Sequence, residues 1–159
     1  MPTIPRDAVL SSLEWPFLLS VLALAFFWAK LEIEIEGPDG WAARLPTWRV
    51  KKPAFADVVL GGGDITGYHV WAFAATLAFF HLKVLGRWTW ASETRVLGAF
   101  VLFWLLEDVL WFALNPHYGW RALTPGRAGW HRRWFCGLPV PYWIMGPLGV
   151  FFYVLPSLL

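Results

Sequence analysis

Long apolar runs, rather than alternation, dominate the hydrophobic pattern of this chain. The first covers 15–29 and is flanked by Glu14 and Lys30. A bilayer core of about 30 Å asks for around 20 helical residues. The first span is therefore expected over about 12–31, with a start toward 5–12. A second run covers about 68–85, interrupted by His69, His81 and Lys83. A third covers about 96–114 and contains Glu107 and Asp108. A fourth covers about 138–159 and is rich in Pro and Gly. Lipid offers backbone groups no partners, so such runs form helices or closed barrels. Barrel strands would alternate over short stretches instead. The expected fold is an all-α integral membrane protein: a four-transmembrane-helix bundle, one polytopic domain over 1–159.

Two polar linkers join these spans, at 32–67 and 115–137. The first opens on Leu31-Glu32-Ile33-Glu34-Ile35-Glu36, a period of two. That period predicts a strand, with the glutamates toward water. Gly37-Pro38-Asp39-Gly40 then reads as a turn. The stretch 41–50 would return as a second strand or as a short interfacial segment. The linker between helices 1 and 2 is thus expected to be small and partly β. Gly61-Gly62-Gly63-Asp64 is a tightly turning loop before the second span, and Thr66 is placed to cap its helix. No internal repeat is evident.

Composition agrees with the pattern. Hydrophobic residues make up 58% and charged residues only 15%, with 13 tryptophans. An average globular chain has roughly 25% charged residues. This excludes a disordered chain, a coiled coil and a basic nucleic-acid module, so no nucleic-acid partner is expected. The acids Asp7 and Glu14 near the start argue against a cleaved signal peptide. The first span is read as retained. Six tryptophans (15, 28, 71, 88, 90 and 143) fall near expected span ends, as an interfacial belt would.

Charge orients the bundle. With four spans, both linkers share one side. That side carries nine Lys and Arg residues, Lys30 at the end of the first span included, against four on the other side. The positive-inside rule then places both linkers in the cytoplasm and both termini outside, in a plasma or inner membrane.

The chemistry centres on Glu107 and Asp108. Each acid in a membrane helix costs roughly 2.5–3.5 kcal/mol on insertion scales, and such residues commonly mark function. They lie about 10 Å below the linker-side surface at 1.5 Å per residue. His69, His117 and His131 belong to the same side, so these five residues are the candidate acid/base groups. They are also the candidate ligands should a divalent metal be bound, since imidazole and carboxylate suit zinc or non-haem iron. Trp104 and Trp111 flank the acids. Asn115 and Tyr118 follow the third span at a Pro116 helix stop. Arg132 and Arg133 sit in a basic, aromatic segment suited to a lipid head group. Those six are the candidate substrate contacts. Arg44 and Arg49 could pair with the acids. Cys136 is the single cysteine, so no internal disulfide and no cysteine-based metal site can form.

No nucleotide-binding, α/β-hydrolase or haem-attachment motif occurs, so no nucleotide cofactor is expected. Three functions fit. The first is a membrane enzyme or binding protein for a lipid-like small molecule, using Glu107 and Asp108 with nearby histidines. The second is a non-catalytic assembly subunit, partnered by other membrane chains or by copies of itself, with the acids as interhelical glue. The third is a proton- or ion-conducting element.

Overall fold

The computed structural model describes residues 14–61 and 63–158. The expected helix start toward 5–12 lies outside them. The chain is mostly helical, with two small sheets. The principal helices are α1 (Trp15–Glu36), α3 (Gly67–His81), α4 (Trp90–Leu114) and α5 (Val140–Val154). A single turn, α2 (Asp57–Leu60), lies in the first linker. Among the described residues, three segments are long and apolar enough to cross a membrane: Trp15–Glu36, Trp90–Leu114 and Val140–Ser157.

Helix α4 is the hub, packing against α1, α3 and α5. At one end of the bundle the core is built from Val21, Ala25, Phe80, Phe103 and Tyr153. At the linker end it is built from Ala29, Ile33, Trp111 and Phe112, closed by Leu123 and Ala128 of the second linker. The α4–α5 seam is backbone-close. A Cβ on Gly98 would come within 2.4 Å of the Tyr153 nitrogen. Outward faces stay apolar: Leu19, Phe27, Trp71, Val150 and Phe151 are all exposed. An exposed apolar belt of this extent suits lipid contact.

The alternating 31–36 stretch is not a strand. It completes α1 without a break. The reason lies in packing. Ala29, Glu32, Ile33 and Glu36 are buried, whereas Leu31, Glu34 and Ile35 are exposed. That is the i, i+3, i+4, i+7 spacing of one helical face. A helix already nucleated by an apolar run also extends at little cost. The helix ends at Gly37, with φ of 62°, just before Pro38.

The β content lies elsewhere. β1 (Arg49–Val50) pairs antiparallel with β2 (Ile65–Thr66), tying the first linker to the start of α3. β3 (Trp134–Phe135) pairs with β4 (Leu138–Pro139) across Cys136-Gly137. Both turn residues have positive φ, 47° and 81°, as a tight hairpin with the right twist requires.

At the end away from the linkers, Glu14 pairs with Lys83 and, at 3.1 Å, with Arg95. His81 lies 3.1 Å from Glu93 there, remote from the linkers.

Candidate functional site

The linker ends of α1, α3, α4 and α5 converge around a cavity of about 380 Å³. Four acids line it: Glu32 and Glu36 from α1, Glu107 and Asp108 from α4. Two histidines join them, His69 from the first turn of α3 and His131 from the second linker. Aromatic side chains supply much of the wall, among them Trp41, Trp104, Trp111, Trp130 and Tyr142.

Helical spacing explains the acids. Glu32 and Glu36 are four apart and share one face of α1. Glu107 and Asp108 are adjacent on α4. Glu107 points to the interior at 3% exposure, while Asp108 is half-buried beside it. Glu32 accepts hydrogen bonds from Trp28 Nε1 at 3.2 Å and Tyr68 Oη at 3.1 Å. Glu36 accepts the Ala42 amide at 2.5 Å. Asp108 accepts the Tyr142 hydroxyl. Glu107 lies within side-chain hydrogen-bonding reach of Glu32, another acid, and among the described residues its Oε1 meets no donor. A buried carboxylate oxygen without a partner is costly.

Thr66 caps α3. Its Oγ1 accepts the His69 amide at 3.1 Å and lies 2.6 Å from the His69 ring Nδ1. That contact turns Nε2 toward Glu36, at 3.9 Å. Trp41 stacks on the His69 ring, with centroids 4.4 Å apart. Trp41 and Ala42 hold left-handed φ values of 50° and 53°, rare for residues with a Cβ. The turn is pinned from three sides. Glu36 takes the Ala42 amide, Arg49 donates to the Ala42 carbonyl, and Trp41 Nε1 donates to the Asp64 carbonyl at 2.8 Å. Gly63 passes so close to the Trp41 indole that a Cβ would meet it at 1.9 Å.

On the other wall, His131 Nε2 lies 3.3 Å from Asp108 Oδ2. The pair is close but not aligned as a hydrogen bond, and neither ring nitrogen of the buried His131 has a partner. Lys52, also lining the cavity, donates to the Gly63 carbonyl at 2.5 Å and lies 3.4 Å from Asp57. Burial holds its ammonium below the ordinary lysine range, against the pull of Asp57.

The remaining candidates are placed as follows. Trp104 and Trp111 line the cavity, and their indole N–H groups are unpartnered. His117 is exposed in the second linker, away from the other two histidines, and its amide donates to Asn115 Oδ1. Asn115 is buried but turns to the Gly37 carbonyl, at 3.1 Å, and ties the ends of α1 and α4. Tyr118 donates to the Pro38 carbonyl at 2.8 Å. Arg132 sits 3.6 Å from Asp57, and Arg133 is exposed. None of these five lines the cavity. Nor do Arg44 and Arg49 reach its acids: Arg44 pairs with Asp39 at 2.5 Å, and Arg49 serves the Ala42 turn. Among the described residues, no three His, Cys, Asp or Glu side chains are grouped to hold a metal ion.

Sequence reasoning missed Glu32, Glu36, Trp41 and Tyr142. The glutamates were legible in principle, because a four-residue spacing at the end of an apolar run marks one helical face. Alternation with isoleucine gave the opposite reading. Trp41 and Tyr142 carried no local signal.

Compared with known proteins, the chain matches no family model, no curated protein and no solved structure.

Proposed function

We propose that this is a four-span membrane protein that binds a small lipid-phase molecule in the acid-lined cavity and acts on it by proton transfer. The observation that carries the reading is Glu107. A carboxyl at 3% exposure, with an oxygen that no donor among the described residues satisfies, faces a cavity large enough for a ligand. Buried acids kept only as glue would be expected to complete their hydrogen bonds within the protein.

In this reading Asp108 is fixed by Tyr142 and lies beside His131. The imidazole, with both ring nitrogens free of hydrogen bonds among the described residues, can take or give a proton. Glu107, one residue before Asp108 on α4, faces the same cavity, and His69 is held by Thr66, Glu36 and Trp41 as a second donor or acceptor. The indoles exclude water and form the apolar wall.

The helix α3 serves as the second span. Its 15 residues, continued by a 3₁₀ turn over Leu82–Val84, reach about 28 Å at 1.5 and 2.0 Å per residue, close to a bilayer core. Both linkers, with their basic excess, then lie in the cytoplasm, and the cavity opens at the cytoplasmic end.

Native mass spectrometry of detergent-purified protein tests the binding reading. The wild type should carry a small-molecule adduct. Val70→Phe, which adds bulk at an exposed lining position, should lose it. Identical spectra from the two proteins would reject the cavity as a binding site.

A further inference from the structure

The charge balance of the cavity narrows what it takes. Glu32, Glu36, Glu107 and Asp108 all face it. Lys52 is the lysine on its lining, and it is already matched by Asp57 at 3.4 Å and the Gly63 carbonyl at 2.5 Å. The two histidines are each shared with one acid, His69 with Glu36 and His131 with Asp108. Glu32 has two neutral donors, and Glu107 Oε1 has none. A buried anion needs a cation or a dense set of donors, and beside Glu107 the described residues place the carboxyl of Glu32, itself an acid, and no cation.

The wall chemistry points the same way. The indoles of Trp41, Trp104, Trp111 and Trp130 border the same space. Aromatic faces attract cations through their quadrupole, most strongly when the site is desolvated, and indole is the strongest of them. The protein already contains one such contact here, with Lys52 Nζ 5.8 Å from the Trp41 ring centroid. Carboxylates beside indoles are the combination that recognises an ammonium group. An anionic head group would be repelled by the four acids, and a neutral one would leave their charge uncompensated.

We propose that the cavity takes an organic cation, a protonated or quaternary ammonium group carried on an apolar body. This rests on the reading of the cavity as a binding site, and it adds the chemical class. The ammonium group sits against Glu107 and Glu32, and the apolar body runs along the indole wall.

The test is calorimetric titration of the full chain in phosphatidylglycerol nanodiscs, with protein-free discs subtracted. Hexyltrimethylammonium is the probe, and hexanol and hexyl sulfate are the controls. Saturable binding of the cation is expected, about tenfold or more tighter than hexanol, with a loss of about tenfold in Glu107→Gln. Hexyl sulfate should show no saturable binding. If Glu107→Gln does not fold, Glu32→Gln and the wild-type preference for cation over alcohol decide the matter. Equal binding of cation and hexanol, unchanged by either variant, overturns the cationic class while leaving the cavity a binding site. No saturable binding of any probe overturns both readings. A further arm separates two sources of the same chemistry. If phosphatidylethanolamine in the discs weakens probe binding, the cation is a lipid head group. Undiminished binding assigns a free amine.

Discussion

Glu36 and His69 meet on the cavity wall, with Glu36 Oε1 3.9 Å from His69 Nε2. The same carboxylate oxygen accepts the Ala42 amide at 2.5 Å. One side chain therefore both shapes the left-handed Trp41-Ala42 turn and lies against the His69 ring. The two roles separate by substitution. Glu36→Gln keeps an acceptor for Ala42 and should cost less than about 1 kcal/mol. Glu36→Ala strands a fully buried amide and should cost roughly 1–3 kcal/mol. Thermal unfolding in detergent, followed by tryptophan fluorescence, checks this. Equal midpoints for the two variants would show that the turn does not depend on Glu36.

Thr66 offers a second separation. Its hydroxyl caps α3 and positions the His69 ring. Thr66→Ser should be nearly neutral, whereas Thr66→Ala should destabilise by about 1 kcal/mol, the usual worth of an N-cap. Hydrogen exchange over the first turn of α3 is the measurement. Faster exchange in the alanine variant alone is expected.

These two sites also show what was legible in the sequence. Thr66 before an apolar run is a local signal, and the cap is where that signal puts it. The Asn115-Pro116 stop likewise coincides with the end of α4 at Leu114. Apolar runs marked four spans, and among the described residues three of those segments are helices long and apolar enough to cross a membrane, because helix and bilayer share one length scale. The 31–36 alternation failed because a period of two also contains the i, i+4 pair. Burial against α4, not local pattern, chose the helix. The cavity itself was only half visible. Glu107 and Asp108 stand out as charges within an apolar run. Trp41 and Tyr142 reach the same space through a strained turn and a partner helix, and no spacing along the chain encodes that.

The α4–α5 seam predicts a sharp contrast between two glycines. A Cβ at Gly98 would meet Tyr153 N at 2.4 Å and Gly149 O at 2.7 Å, both backbone atoms that cannot yield without parting the helices. At Gly146 the nearest atom is a Leu105 methyl at 3.4 Å. Gly98→Ala should therefore destabilise by roughly 1–3 kcal/mol or more as overpacking. Gly146→Ala should be close to neutral. Comparable losses of thermal stability in both variants would show that the seam is less tight than these distances require.

Cys136 reports on orientation. It is the sole cysteine, exposed at the β3–β4 turn in the second linker. A membrane-impermeant maleimide applied to intact cells should leave it unlabelled if the linker is cytoplasmic. Inverted vesicles should label fully. Labelling from outside would reverse the orientation given by the basic residues, and would place the cavity at the external face.

The decisive stability experiment is on Glu107, because the site and glue readings give opposite signs. Replacing a buried charged group by a well-packed apolar residue of similar volume is often neutral or stabilising, by up to roughly 4 kcal/mol. That outcome is expected here, since Glu107 Oε1 makes no hydrogen bond and the carboxyl packed beside it is another acid, Glu32, which Leu would relieve of a like neighbour. Glu107→Leu should raise the unfolding temperature of the ligand-free protein and abolish cation binding, the usual trade of function for stability at a prepared site. Were Glu107 interhelical glue, the same substitution would lower the unfolding temperature. Asp108→Leu is the control. Asp108 accepts the Tyr142 hydroxyl, so its loss leaves the half-buried phenol without its acceptor and should destabilise by about 1–3 kcal/mol. Opposite signs at two adjacent carboxyls would show that one is held for a ligand and the other by the protein itself.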